Sequence, residues 1–297
     1  MASGQGTASR GFQDMRKAKD SIMTIILVVV LCAGICLLLY PTVSDWWNST
    51  RQSYAAGAYT EAVENLESGE IEDLWRRAQA YNESLAEYGN SWVLSDAQEA
   101  RYREQLSVEG TSVMSYIEIP VIRCKLPVYH GTSDDVLQVA VGHIEGSSLP
   151  VGGESSHCAL SGHRGLATAK LFTDLDRLKA GDVFMLTTLG RTLTYEVDQV
   201  RIVDPDQIED IRIVEGEDLC TLVTCTPYGV NTQRLLVRGH RVDNQEKTLV
   251  PADALRIESL LVALCLAVPV LVILFFGAML TGGRRDPHSE GGFSDGP

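Results

Sequence analysis

The hydrophobic positions of this 297-residue chain fall into three regimes. Two runs are uniformly apolar: residues 21–40 and 259–280 carry no charge. A helix rising 1.5 Å per residue needs about 20 apolar residues to cross a bilayer core, so each run predicts a transmembrane helix. Pro269 lies inside the second, where a membrane helix tolerates it. Residues 51–107 follow helical spacing instead. Leu74, Trp75, Ala78, Tyr81, Leu85 and Tyr88 recur on one stripe. Gly89-Asn90 stops that run, and a second short helix is expected over residues 96–106. From Ser112 the period becomes two. VMSYIEIP, KLPVYH, HCALSGH, DVFMLTTLG, TLTYEVDQVRIV, LCTLVTCT and RLLVRGHRV read as strands. Gly190-Arg191 is expected to turn a hairpin, and a short helix is expected near residues 167–178. Short strands with short polar connections predict a closed barrel or a sandwich.

Charge sets the orientation. Arg10, Arg16, Lys17 and Lys19 precede the first apolar run, and Arg284 and Arg285 follow the second. The positive-inside rule puts both termini in the cytoplasm and the region between the spans outside. The first span reads as an uncleaved signal anchor, because it is longer than a usual signal-peptide core and no small-x-small cleavage site follows clearly. The chain has 25 Lys+Arg against 39 Asp+Glu, a formal net charge of −14. No basic face for nucleic acid is signalled. Cys32, Cys36 and Cys265 fall within the spans. Cys124, Cys158, Cys220 and Cys225 lie outside and form no CxxC pair, so neither a zinc ribbon nor a disulfide scaffold is indicated. Cys158 and Cys220 each stand five residues before a candidate catalytic residue, so a disulfide between them is a hypothesis that depends on their strands being parallel neighbours. Asn48-Ser49-Thr50 and Asn82-Glu83-Ser84 are chance sequons.

Three residues carry candidate chemistry. Cys225 follows an apolar strand and precedes the turn Thr226-Pro227-Tyr228-Gly229. His163 ends the strand CALSGH, and Arg234 opens the strand after Cys225. A thiol needs a nearby base or cation to serve as a nucleophile at neutral pH. A fixed guanidinium stabilises an oxyanion at an acyl carbon. Taken singly, each has a plain alternative: a buried apolar Cys, a structural His and a solvated Arg. Arg238 shares the face of Arg234 by strand parity and competes for its role. His130, His143, His157 and Arg164 read as structural.

TLVTCTPYGVNTQRLLVRGHR resembles the active-site strand pair of sortases. With SGHRG, KLPVYHGTS and VGHIEGSSLPVGGESSHCALSGHRGLATAKLFTDLDRLKAGD, it is similar to class C, the pilus-assembling sortases of Gram-positive bacteria. The likeness covers residues 112–242. It implies a mainly β fold: an eight-stranded sortase-type barrel over residues 108–243, with a helical N-terminal extension over 41–107 and one transmembrane helix at each end (21–40 and 259–280). Residues 1–20 and 281–297 would then be cytoplasmic, the latter a disordered tail, and 244–258 a linker. The resemblance implies Cys225 as nucleophile, His163 as general acid/base and Arg234 as the oxyanion or substrate-orienting residue. It implies cleavage of an LPxTG-like signal through a thioester, and transfer to a pilin lysine. It calls for no metal or organic cofactor. Partners would be pilin subunits and, through two helices, membrane lipid. Attachment of proteins to peptidoglycan, or a silent scaffold that only binds sorting signals, are the competing readings. Class C enzymes carry an Asp-Pro-aromatic lid, and this chain departs from it: GNSWVLSDAQEARYREQL has Asp96-Ala97, with Trp92 as the candidate aromatic and Asp96 expected to face Arg234.

Overall fold

A computed structural model describes residues 5–90, 92–166 and 168–244. The expected second span, the linker and the tail (244–258, 259–280 and 281–297) lie, but for Asn244, outside the described residues.

The first element is one helix, α1 (Gln5–Glu64), running through Pro41 without a break. The apolar run and the start of the extension are therefore a single rod. Helix α2 (Ser68–Tyr88) follows, opened by a Glu67–Glu70 capping box and closed at Gly89, whose φ of 84° favours glycine. Helix α3 (Asp96–Arg103) starts at a second capping box, Ser95 with Gln98.

Eight strands close the barrel: β1 (Val113–Ile119), β2 (Cys124–His130), β3 (Val141–His143), β4 (Ser156–Ser161), β5 (Val183–Thr188), β6 (Arg191–Val203), β7 (Asp218–Thr226) and β8 (Gln233–Val242). They neighbour in the order β1-β2-β3-β4-β7-β8-β6-β5. Pairs β2/β3 and β4/β7 are parallel and the rest antiparallel. Alternation decides what faces inward. Leu160, Leu222, Leu235 and Val237 join the main core, while Val203, Val223 and Leu236 form a small apolar strip of their own with Ile144 against it.

Three sequence expectations need correcting. Strand β3 was not predicted, because three residues are too few to show alternation. The turn of the β5–β6 hairpin is Leu189-Gly190, one residue earlier than expected. Both have positive φ, 48° and 75°, as a two-residue hairpin turn with the right-handed strand twist requires. The helix expected near 167–178 reduces to one 3-10 turn, Leu175–Arg177. Phe172, Leu175 and Leu178 do share a helix-like spacing, but they are buried as a plug at one end of the barrel.

That end, the upper end here, gathers the β1–β2 turn, the segment after β4 and the β7–β8 turn. The lower end gathers the β5–β6 hairpin and the β3–β4 connection. Helix α1 runs along the wall between them. Near the top, Asn48 Nδ2 donates to Thr168 O (2.8 Å), Asp45 Oδ1 accepts from Lys170 N–H (2.8 Å) and Gln52 Nε2 donates to Val139 O (2.8 Å). Near the bottom, Tyr59 donates its hydroxyl to Met114 O (2.9 Å) and accepts from Leu189 N–H (2.9 Å), which pins the strained hairpin. Trp75, Tyr102 and Leu106 are buried in the same core as the strands. The extension is thus part of the fold rather than a detachable arm.

Candidate active site

Strand register assembles the three candidate residues. β4 and β7 run parallel from Ser156 beside Asp218 to Ser161 beside Val223. Gly162 N–H continues the ladder to Val223 O (3.0 Å), and Thr224 Oγ1 donates to Gly162 O (2.7 Å). Two residues past the strand end, this register sets His163 level with Cys225. On the other side, Cys225 pairs with Arg234. His163, Cys225 and Arg234 therefore form one row across three neighbouring strands, and parity turns Cys225 and Arg234 to the outer face.

Each position is held by backbone. Phe172 N–H donates to His163 O (3.1 Å), so the segment after His163 closes on itself. A side chain at Gly162 would meet the Phe172 ring at 2.6 Å, which explains glycine before the histidine. Cys225, His163 and Arg234 are all half-buried, reachable from solvent yet fixed at strand ends. The Arg234 guanidinium donates to Asn231 O (3.3 Å) and Gln233 O (3.0 Å), with no carboxylate partner among the described residues. Arg238, its sequence-level competitor, is consumed by a bidentate pair with Asp198 (3.1 and 2.8 Å) and lies level with Thr221. Val223, Leu236 and Val203 lie on the same face beside the row as a small buried apolar strip.

The histidines read as structural are held that way. His143 is fully buried between Tyr102 Oη (2.9 Å to Nδ1) and Ser148 O (2.9 Å to Nε2). His157 lies between Arg212 O and Thr221 Oγ1, both at 2.7 Å, and burial holds its pKa down at about 4. Burial does the same to His130, also at about 4. Cys158 and Cys220 are directly paired across β4 and β7, and both are buried free thiols. Burial pushes the Cys220 thiol well above its ordinary range.

Two contacts were not legible in the sequence. Arg164, beside His163, donates to Thr226 Oγ1 (3.2 Å), next to Cys225, and pairs with Asp176. It ties the histidine strand to the cysteine strand. The Tyr228 ring lies against Gly165, where an added Cβ would meet it at 3.0 Å. Both link residues more than 60 apart, which spacing cannot reveal.

The expected pairing of Asp96 with Arg234 is not formed. Asp96 is exposed in the first turn of α3, and Trp92 is half-buried. Neither is hydrogen-bonded or ion-paired to the row among the described residues. Tyr102 draws α3 toward His143, and Asn90 ties the preceding segment to Gly146 O (2.8 Å).

The sortase domain family matches residues 117–242. Sortase D of Bacillus subtilis is 30% identical over 155 residues, 51% of this chain and 75% of that protein. This chain belongs to the sortase family. Sortases are cysteine transpeptidases, and this sortase is one. A crystal structure of sortase C1 from Streptococcus agalactiae is 50% identical, with a TM-score of 0.63, covering 65% of this chain and all of that one. Sortase C of Clostridium perfringens, solved with the C-terminal cell wall sorting motif, is 46% identical with a TM-score of 0.58, again over 65% and 100%. The sortase barrel expected from sequence is the fold observed, with an N-terminal helix long and apolar enough to cross a membrane.

Proposed function

We propose that this sortase polymerises pilins at the outer face of the cell membrane. It would cleave an LPxTG-like signal and join the product to a lysine of another subunit. The observation that carries the reading is the His163–Cys225–Arg234 row on a solvent-reachable face, in a chain whose solved likenesses include several sortase C enzymes. Cys225 Sγ, as thiolate, attacks the carbonyl carbon after the signal's threonine. Arg234, with no carboxylate partner among the described residues, stabilises the charge that develops on the carbonyl oxygen. The C–N bond breaks, His163 protonates the departing amine, and a thioester remains on Cys225. A lysine amine then gives its proton to His163 and attacks the thioester. The peptide is transferred as an isopeptide, and the Cys225 thiolate is restored.

Residues 21–40 anchor the enzyme, so enzyme and a membrane-held substrate meet at raised effective concentration. The two-pass topology, with both termini cytoplasmic, belongs to the same proposal.

Intact-mass spectrometry of the ectodomain with an LPxTG-type peptide tests the chemistry. A cleaved acyl adduct on the wild type, absent from Cys225→Ala, is expected. Adding a pilin subunit should discharge the adduct onto a lysine. Discharge only onto a peptidoglycan peptide would replace pilus assembly with wall anchoring. An adduct elsewhere than Cys225 would overturn the assignment.

A further inference from the structure

Helix α1 is continuous from the apolar run to the barrel wall, so it fixes the height of the barrel above the membrane. Twenty residues from 21 to 40 span about 30 Å, the thickness of a hydrocarbon core. The headgroup zone adds about 5–8 Å on each side. The five-residue step from Tyr40 to Asp45 rises about 7.5 Å. Asp45 therefore stands at the outer edge of the headgroups, with Trp46 and Trp47, 54% and 55% exposed, in the interfacial belt that tryptophan favours.

Asp45 and Asn48 are the residues that hold Lys170 and Thr168. The segment after His163 is thereby level with the lipid surface. The other two connections of the upper end join it. Cys124 Sγ–H points to Leu171 O (3.9 Å), and Tyr228 packs on Gly165. Both connections present apolar side chains to solvent: Val121 is 44% exposed, Tyr228 61% and Val230 65%. At the lower end, Tyr88 and Val93 flank the Asn90 that bonds Gly146 O and are 80% and 87% exposed, but the β5–β6 hairpin is closed. Leu189 of its hairpin is buried, and Arg191 pairs with Glu72.

We propose that the catalytic end of the barrel rests on the lipid surface, with Val121, Tyr228 and Val230 in the interface. The inference depends on residues 21–40 being a membrane span.

The full chain would be reconstituted in phosphatidylcholine vesicles, with and without phosphatidylglycerol, containing a trace of lipid with a diazirine in its headgroup. After flotation and irradiation, peptide mapping by mass spectrometry should find label in residues 119–124 and 227–232 and not in 188–192. Labelling should be equal in the two lipid mixtures. The Val121→Asp, Val230→Asp double variant should float as before and lose roughly fivefold of the label at these turns, because interfacial binding scales with buried apolar area. Flotation with label confined to residues 40–47, or equal at the two barrel ends, would overturn the lipid-facing surface alone. Labelling that vanishes without phosphatidylglycerol would overturn apolar contact in favour of a charge contact through Arg123. A chain that fails to float would overturn the span and the surface together.

Discussion

The two ends of the barrel are built to opposite rules. At the lower end, Tyr59, Trp75, Tyr102 and His143 are buried, and the hydroxyls of Tyr59 and Tyr102 each bond to more than one group. At the upper end, Cys225, His163 and Arg234 stand half-buried in one row, and no hydrogen bond joins them to one another. A group already satisfied by the fold has little left to offer a substrate. Separating the ends lets one hold the structure while the other keeps its polar capacity for a transition state.

Substitutions should divide along the same line. The largest effect is expected from Cys225→Ala, which should abolish the acyl adduct and leave thermal unfolding unchanged, read by mass spectrometry and calorimetry. Arg234→Ala should lower kcat/KM by about 10²–10³-fold, the usual cost of an oxyanion donor. Arg238→Ala, which removes only a surface pair with Asp198, should stay within about twofold. Peptide cleavage kinetics on the two variants decides between the arginines. At the lower end, Tyr102→Ala should cost about 3–5 kcal/mol in urea unfolding. Tyr102→Phe should cost about 1–3 kcal/mol, because Gly131 N–H loses its acceptor. Neither should change kcat/KM of the folded fraction. An equal loss of chemistry in Tyr102→Phe would break the division.

Arg164→Met sharpens it from the other side. The variant severs the tie between the histidine strand and Thr226, worth about one charge-assisted hydrogen bond or roughly tenfold in rate. Thr226→Val should match it, and the double variant should add little. A further test is pH dependence. His130 and His157 are held at about 4 against an ordinary 6.5. The folded state resists protons that the unfolded chain takes up. Stability should be flat above about 6.5 and fall as pH drops toward about 4. Urea midpoints through that range should show the slope, and His157→Gln should reduce it.

What could be read in advance follows from how local each signal is. Seven of the strands show alternation, and the row Cys225–Arg234 follows from two adjacent strands with one turn between them. Cys225 and His163 stand out as candidates because Cys and His are few, 7 and 6 in the chain, and both end apolar strands. β3 was too short to show a period. The buried residues Phe172, Leu175 and Leu178 share the spacing of a helix without forming one. Arg164 looked inert because Thr226 and Asp176 become its neighbours only once the strands pair.

Helix α1 has one more consequence, and it concerns angle. An α-helix turns about 100° per residue. If residues 21–40 span the bilayer, the bearing of the barrel relative to the faces of that span is locked to the residue count between Tyr40 and Asp45. Deleting one residue there would swing the Cys225 face about a quarter-turn while barely changing its height. Inserting seven would nearly restore the bearing and lift the barrel about 10 Å. Azimuth and altitude become separately adjustable, and because a span turns freely in the plane of the bilayer, a length series across this short stretch should register in the rate through height alone.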